Sequence, residues 1–331
     1  MLAGFRKRAK DRDGATQTLE LYYASDVHGS EVAWRKFLNA GRHYRADVLV
    51  MGGDIAGKAI VPFVPVPGGW RARQITGERV IAEADLPEVE RRARDLGLYP
   101  HRTTEEEAQA LSGDPEALEA LFAARIREVL EGWVELARER LAGTGIAVWI
   151  MLGNDDPPEL AEVIAGAGLA GDPEDRVVEL GEGFTMLSNG WSNPTPWDSP
   201  RELPEEQLGE RLEALAANVP DMTRCVFNLH VPPYNSTIDS APKLDANLKP
   251  VVRGGSVETA PAGSTAVREL IERHQPPVAL HGHIHESRGV VRVGSTVCIN
   301  PGSEYGEGIL HGALLALDAR KGLRTYQLVS G

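Results

Sequence analysis

Along this chain, five short apolar runs rich in strand formers each stop at a polar motif. Residues 19–25 (LELYYAS) lead into Asp26-Val27-His28, and residues 47–51 (DVLVM) lead into Gly52-Gly53-Asp54. Residues 146–152 (IAVWIML) deliver Gly153-Asn154-Asp155-Asp156, residues 225–229 (CVFNL) deliver His230, and residues 278–280 deliver the HGHIH tract at 281–285. Between the first two runs, residues 31–40 carry Val32, Phe37 and Leu38 at helical spacing. Strand, helix, strand is the opening of a parallel α/β sheet, whose ligands gather at the carboxyl ends of the strands. That geometry predicts that the five motifs lie at one end of the sheet.

After Gly57 the pattern changes. Residues 59–66 and 70–80 flank Pro67-Gly68-Gly69 and are predicted to form a hairpin. A helix is predicted from Asp114-Pro115-Glu116, where Asp caps and Pro takes the first helical position. Its apolar stripe runs from Leu118 through Trp133 to Leu141, and Gly143 ends it. Residues 58–125, roughly, are expected to be an insertion beside the sheet and a candidate lid, with the later helix joining the sheet layer. Strands are predicted at 177–180 and 184–188, a Pro- and Trp-rich loop at 191–200, and a helix at 263–274. Residues 289–328 alternate apolar runs with Gly turns, as antiparallel strands do.

Composition removes some partners. A formal charge of -13 gives no basic face for a nucleic acid. It leaves phosphate substrates open, because a bound divalent ion is often the largest local charge in a site. No run approaches the ~18 apolar residues of a membrane span, so no membrane partner is expected. Cys225 and Cys298 sit in apolar, strand-like runs and need no disulfide, which fits a reducing cytoplasm. Residues 1–17 are basic without an apolar stretch and are expected to be a flexible tail, with residues 18–331 as the folded domain. Oligomeric state leaves no mark in the pattern.

Each motif has a bland explanation when taken alone. Asp26 and His28 could be a surface acid and a solvated imidazole, and Gly53-Asp54 a plain strand-to-turn step. Asn154-Asp155 could cap a helix opened by Asp156-Pro157, and His230 could be a hydrogen-bonded core residue. HGHIH is more telling, because alternate residues of extended chain face the same way and bring His283 and His285 together, with His281 as a further candidate. As a set, the motifs offer two carboxylates, one carboxamide and four imidazoles. That is a donor set for two divalent ions, which clamp a phosphoryl group and turn bound water into a nucleophile near neutral pH. Oxygen and imidazole donors without thiolates suit manganese first, with iron or zinc as alternatives.

The order D-x-H, G-D, G-N, H, G-H-x-H resembles the calcineurin-like metallophosphoesterase superfamily, especially its small prokaryotic phosphodiesterase-type members. The resemblance spans the chain from about Leu19 to the C-terminal strands, outside the insertion. It implies a four-layer α/β/β/α sandwich of two mixed sheets, here with an inserted hairpin-plus-helix subdomain. It also implies that Asp26, His28 and His285 bind one metal, that Asn154, His230 and His283 bind the other, and that Asp54 bridges them. The NPGS turn at 300–303 is similar to one in many small phosphoesterases, and either an ordinary turn or a substrate role fits it. The WSNPTPW loop at 191–197 could present an aromatic platform or simply pack.

One position departs from the pattern. The family often has His after the motif's Asn, and that His is thought to protonate the leaving oxygen; here Asp155 stands in its place. A carboxylate is a poor proton donor near neutral pH. The expected function is therefore metal-dependent phosphoester hydrolysis on a small diester. Phosphomonoesterase or protein phosphatase activity is the alternative, and a non-catalytic metal-binding interaction module is the alternative of another class.

Overall fold

The computed structural model describes residues 18–166, 168–169 and 171–331, so the tail expected at 1–17 lies outside the described residues. Two mixed sheets and the helices against them make an α/β fold. The first sheet runs Gly322–Ser330, His311–Asp318, Thr18–Ala24, Val48–Met51, Ala147–Ile150. Its last three strands are parallel, and the two C-terminal strands add antiparallel. Helix Glu31–His43 makes the first crossover, opened by the Ser30 hydroxyl, which accepts from the Ala33 N–H at 3.4 Å.

The second sheet runs Gly289–Val293, Thr296–Asn300, Val278–Leu280, Cys225–Leu229, Phe184–Asn189, Val177–Gly181. Its four central strands are parallel and both edges are antiparallel. The antiparallel strands expected at 289–328 form two antiparallel pairs, divided between the sheets. Residues 289–300 join the second sheet, with Thr296–Asn300 parallel to Val278–Leu280, and residues 311–330 join the first. Apolar runs separated by Gly turns do not encode which sheet a strand enters.

Side-chain alternation along the strands sorts the core. Leu21, Tyr23, Val48 and Val50 pack with Met186, Val226, Val278, Leu280 and Ile299 of the second sheet. Their neighbours Tyr22, Leu49 and Met51 pack instead with Trp34, Phe37, Leu130 and Trp133 of two helices. A third core joins Leu187, Phe227, Ala279 and Cys298 to Leu208 and Leu212 of Glu205–Ala216 and to Val267 and Leu270 of Thr265–His274. Cys225 and Cys298 are free and buried.

Past Gly57 the chain leaves both sheets. Ala59–Val66 pairs antiparallel with Gly69–Arg71 and parallel with Leu98–Arg102, over a small core of Val61, Phe63, Ile81 and Leu86. The second hairpin strand, expected at 70–80, ends at Arg71. The following residues close a helical turn, Arg73–Thr76, with the Thr76 N–H donating to Ala72 O at 2.9 Å. Helix Pro115–Leu141 starts at the predicted cap, where the Asp114 carboxylate accepts from the Ala117 N–H at 3.1 Å, and it is continuous across residue 125. Among the described residues no helix is long and apolar enough to cross a membrane.

Candidate metal centre

The loops after five parallel strands meet at one place, and their backbones bind one another. Asp26 N donates to Gly53 O at 2.9 Å, and Gly282 N donates to His230 O at 2.9 Å. His283 N donates to both oxygens of Asp26 at 3.0 and 3.2 Å, and Asp155 N donates to Asp54 Oδ1 at 3.1 Å. Such approaches need glycine. A Cβ on Gly153 would sit 2.1 Å from Asp54 Oδ1, and one on Gly282 would sit 2.3 Å from Asp26 Oδ2. The glycines of the GND and HGH motifs are therefore required by the packing of loops.

The structure brings together all seven residues proposed from the sequence. Asp26, His28, Asp54 and His285 form one group, and Asp54, His230 and His283 form another, each with donor atoms within 4.8 Å of one another. In the first group, His28 Nε2 stands 3.0 Å from His285 Nε2 and 3.6 Å from Asp54 Oδ2, and His285 Nε2 is 3.5 Å from Asp26 Oδ1. In the second, His230 Nε2 lies 3.3 Å from Asp54 Oδ1. Asn154 Oδ1 completes it at 3.1 Å from His230 Nε2 and 2.7 Å from His283 Nδ1. Asp54 is common to both groups.

Burial and charge compete here. Burial lowers His28 to about 4, against the pull of Asp54, and burial with the nearby His230 lowers His283 to about 4. Both rings are neutral at pH 7 and keep a lone pair for a cation. Burial also opposes protonation of His230, but the Asp54 carboxylate outweighs it and pushes that ring up to about 9. Burial would raise Asp26, yet His285 and His230 hold it down at about 2. The donors therefore fit two divalent cations. Carboxylates that are 1% and 3% exposed need compensating charge, and the neutral His28 and His283 rings keep unprotonated nitrogens beside them.

The remaining sequence candidates separate. His281 turns away, and its Nδ1 faces Leu229 O and Val231 O at 2.8 and 3.1 Å. A short helical segment does begin at Pro158 and runs on into Ala161–Ala165, but Asp156 does not cap it. Its buried carboxylate accepts from the N–H groups of Ile55, Ala56 and Gly153 at 3.1, 2.7 and 2.7 Å and ties the Asp54 loop to the Asn154 loop. The NPGS turn is a brace. Asn300 Nδ2 donates to Ile284 O at 2.9 Å, and Ser303 Oγ donates to Asp26 O at 2.6 Å. In the WSNPTPW loop, Trp191 lies beneath Arg201 and Arg211, while Trp197 is exposed.

Two neighbours had no sequence signal. Lys58 Nζ pairs with Asp155 Oδ2, and the Tyr305 ring lies 4.8 Å from that of His28. A Lys one residue beyond MGGDIAG and a Tyr after NPGS could have been read from their attachment to motifs, but not their targets.

No protein-family model matches the chain. MJ1162, an uncharacterised protein of Methanocaldococcus jannaschii, is 30% identical over 129 residues, 38% of this chain and 52% of that protein. The chain thus spans about half the length of the curated relative it matches. The crystal structure of TT1561 of Thermus thermophilus aligns over 95% of this chain and 99% of that one, with a TM-score of 0.53 and 14% identity, a likeness of fold. A novel archaeal phosphodiesterase aligns over 95% of this chain and 100% of its own at 12% identity, with a TM-score of 0.33. The resemblance to the metallophosphoesterases is one of ordered motifs whose residues meet in a single cluster.

Proposed function

We propose that this protein is a metal-dependent phosphoester hydrolase. The observation that carries the reading is the pair of buried donor groups sharing Asp54. In this reading Asp26, His28 and His285 would hold one ion and Asn154, His230 and His283 the other, with Asp54 shared between them. Two divalent ions, when bound, supply Lewis-acid stabilisation of phosphoryl oxygens and lower the pKa of water. The chain's own residues set the frame. Asp156 locks two of the loops, Asn300 and Ser303 brace the histidine loop, and Gly52 O fixes the His230 ring through Nδ1 at 3.0 Å. Preorganisation of this kind removes reorganisation from the reaction.

We favour a small diester as substrate, manganese as the metal and the cytoplasm as the location. The diester preference is supported by Asp155, which offers no imidazole to the leaving oxygen. The same reading takes the fold as a four-layer α/β/β/α sandwich with an insertion at roughly 58–125, supported by the three cores between and outside the two sheets.

The deciding experiment is metal analysis of the purified protein with assays on mono- and bis-p-nitrophenyl phosphate. Two bound ions per chain with faster diester turnover are expected. Faster monoester turnover would move the substrate class. Two bound ions without turnover of either ester would leave a binding module.

A further inference from the structure

The residue in place of the expected histidine is not free. Asp155 Oδ2 pairs with Lys58 Nζ, and Asp155 Oδ1 accepts from Ser199 Oγ at 2.5 Å. The Asp155 N–H in turn donates to Asp54 Oδ1 at 3.1 Å, so the lysine ammonium and the shared carboxylate flank a single residue. Lys58 reaches the site from the root of the insertion, four positions after Asp54, where Lys58 N donates to Gly97 O at 3.3 Å. Its charge is felt by Asp54, His28, His285 and Tyr305. Its side chain is 42% exposed, whereas Asp26, His28, Asp54, Asn154 and His230 are buried.

We propose that Lys58 is a substrate-binding residue whose ammonium holds a non-bridging phosphoryl oxygen beside the Asp54 cluster, with Asp155 and Ser199 fixing its position. The proposal rests on the phosphoester reading above. An ammonium has three donors and, among the described residues, Asp155 is its hydrogen-bond partner, so further donors can face the site. A pair this exposed adds little stability, so the arrangement is better explained by a charge held in place than by a strut. The aspartate keeps the lysine stem from wandering, and a fixed charge stabilises phosphate more than a mobile one. In this way the chain sets a cation where the family pattern has an imidazole, by recruiting it from the insertion.

The test uses the 331-residue chain loaded with manganese, inorganic phosphate as the probe, and the variants Lys58→Met and Lys58→Arg. Calorimetry should show unchanged manganese stoichiometry in both. Phosphate affinity and kcat/KM on bis-p-nitrophenyl phosphate should fall about 10- to 100-fold in Lys58→Met, the usual worth of a hydrogen bond to a charged group. Lys58→Arg should recover most of the phosphate affinity. Phosphate affinity within twofold of wild type in Lys58→Met, with or without a lower melting temperature, would make the pair structural and overturn the proposal. If wild type hydrolyses nothing yet binds phosphate more tightly than Lys58→Met, the hydrolase reading falls and this assignment stands. If wild type does neither, both fall.

Discussion

Four of the seven clustered residues, Asp26, His28, Asp54 and His283, have φ between 39° and 66°. Side chains with a Cβ avoid this region, at a cost of roughly 1–3 kcal/mol each. They are held there by the backbone bonds between loops, including His28 N to Asp54 O at 3.0 Å. Strain concentrated in this way marks a site whose side-chain directions matter more than local stability. Asp54 matters most, because it faces both donor groups. Asp54→Asn keeps the shape but removes the charge between the two ion positions, whereas His28→Ala removes one donor from one group. Asp54→Asn should therefore lower kcat/KM at least about tenfold further, ~1.4 kcal/mol of transition-state stabilisation. Parallel assays with metal content check this, and equal losses with both metals retained would contradict the shared role. At this scale the seven donors were legible, since their motifs follow apolar runs in a fixed order. Lys58 and Asp156 were not, because their meaning lies in partners about a hundred residues away.

Elements were legible where a local rule decides them. Asp114-Pro115 set the start of the long helix, and short runs of strand formers set the strands before Asp26 and Asp54. The strand Leu98–Arg102 was not visible. Its sequence, LYPHR, contains a proline and no alternation, and its partner is the parallel strand Ala59–Val66. The insertion touches the site through Gly97. A Cβ there would meet His28 O at 2.0 Å and the Tyr305 ring at 3.3 Å. We expect it to restrict access. Because Ala59 and Leu98 are paired, residues 60–96 can be replaced by a short Gly-Ser link that keeps Lys58, Gly97 and Tyr99. The shortened protein should gain activity on bulky esters relative to small ones. An unchanged ratio, in a variant that still folds and binds metal, would make the insertion a structural flap.

At the scale of the whole molecule, buried charge links the site to stability. In the metal-free protein, Asp54 holds His230 at about 9, above its ordinary 6.5. A group raised in this way stabilises the fold fully below about 6.5 and loses that contribution as pH rises through about 9. His28 and His283, lowered to about 4, stay neutral across this window. The cation sites behave oppositely, since a metal must displace the His230 proton and binds better as pH rises. Free metal at 100 times its Kd stabilises by about 2.7 kcal/mol, which raises the melting temperature of a chain this size by a few degrees. The gap between manganese-loaded and chelator-treated melting temperatures should therefore widen from pH 6.5 to 8.5. The less stable metal-free protein and the tighter metal are two expressions of the same proton release from His230. Asp54→Asn, which lacks the charge that raises His230, should show a small gap with little pH dependence. Melting curves at pH 6.5, 7.5 and 8.5 decide it. A wild-type gap that is constant or narrows with pH would show that neutral imidazoles already meet the metal, and that the His230–Asp54 pair does not govern loading.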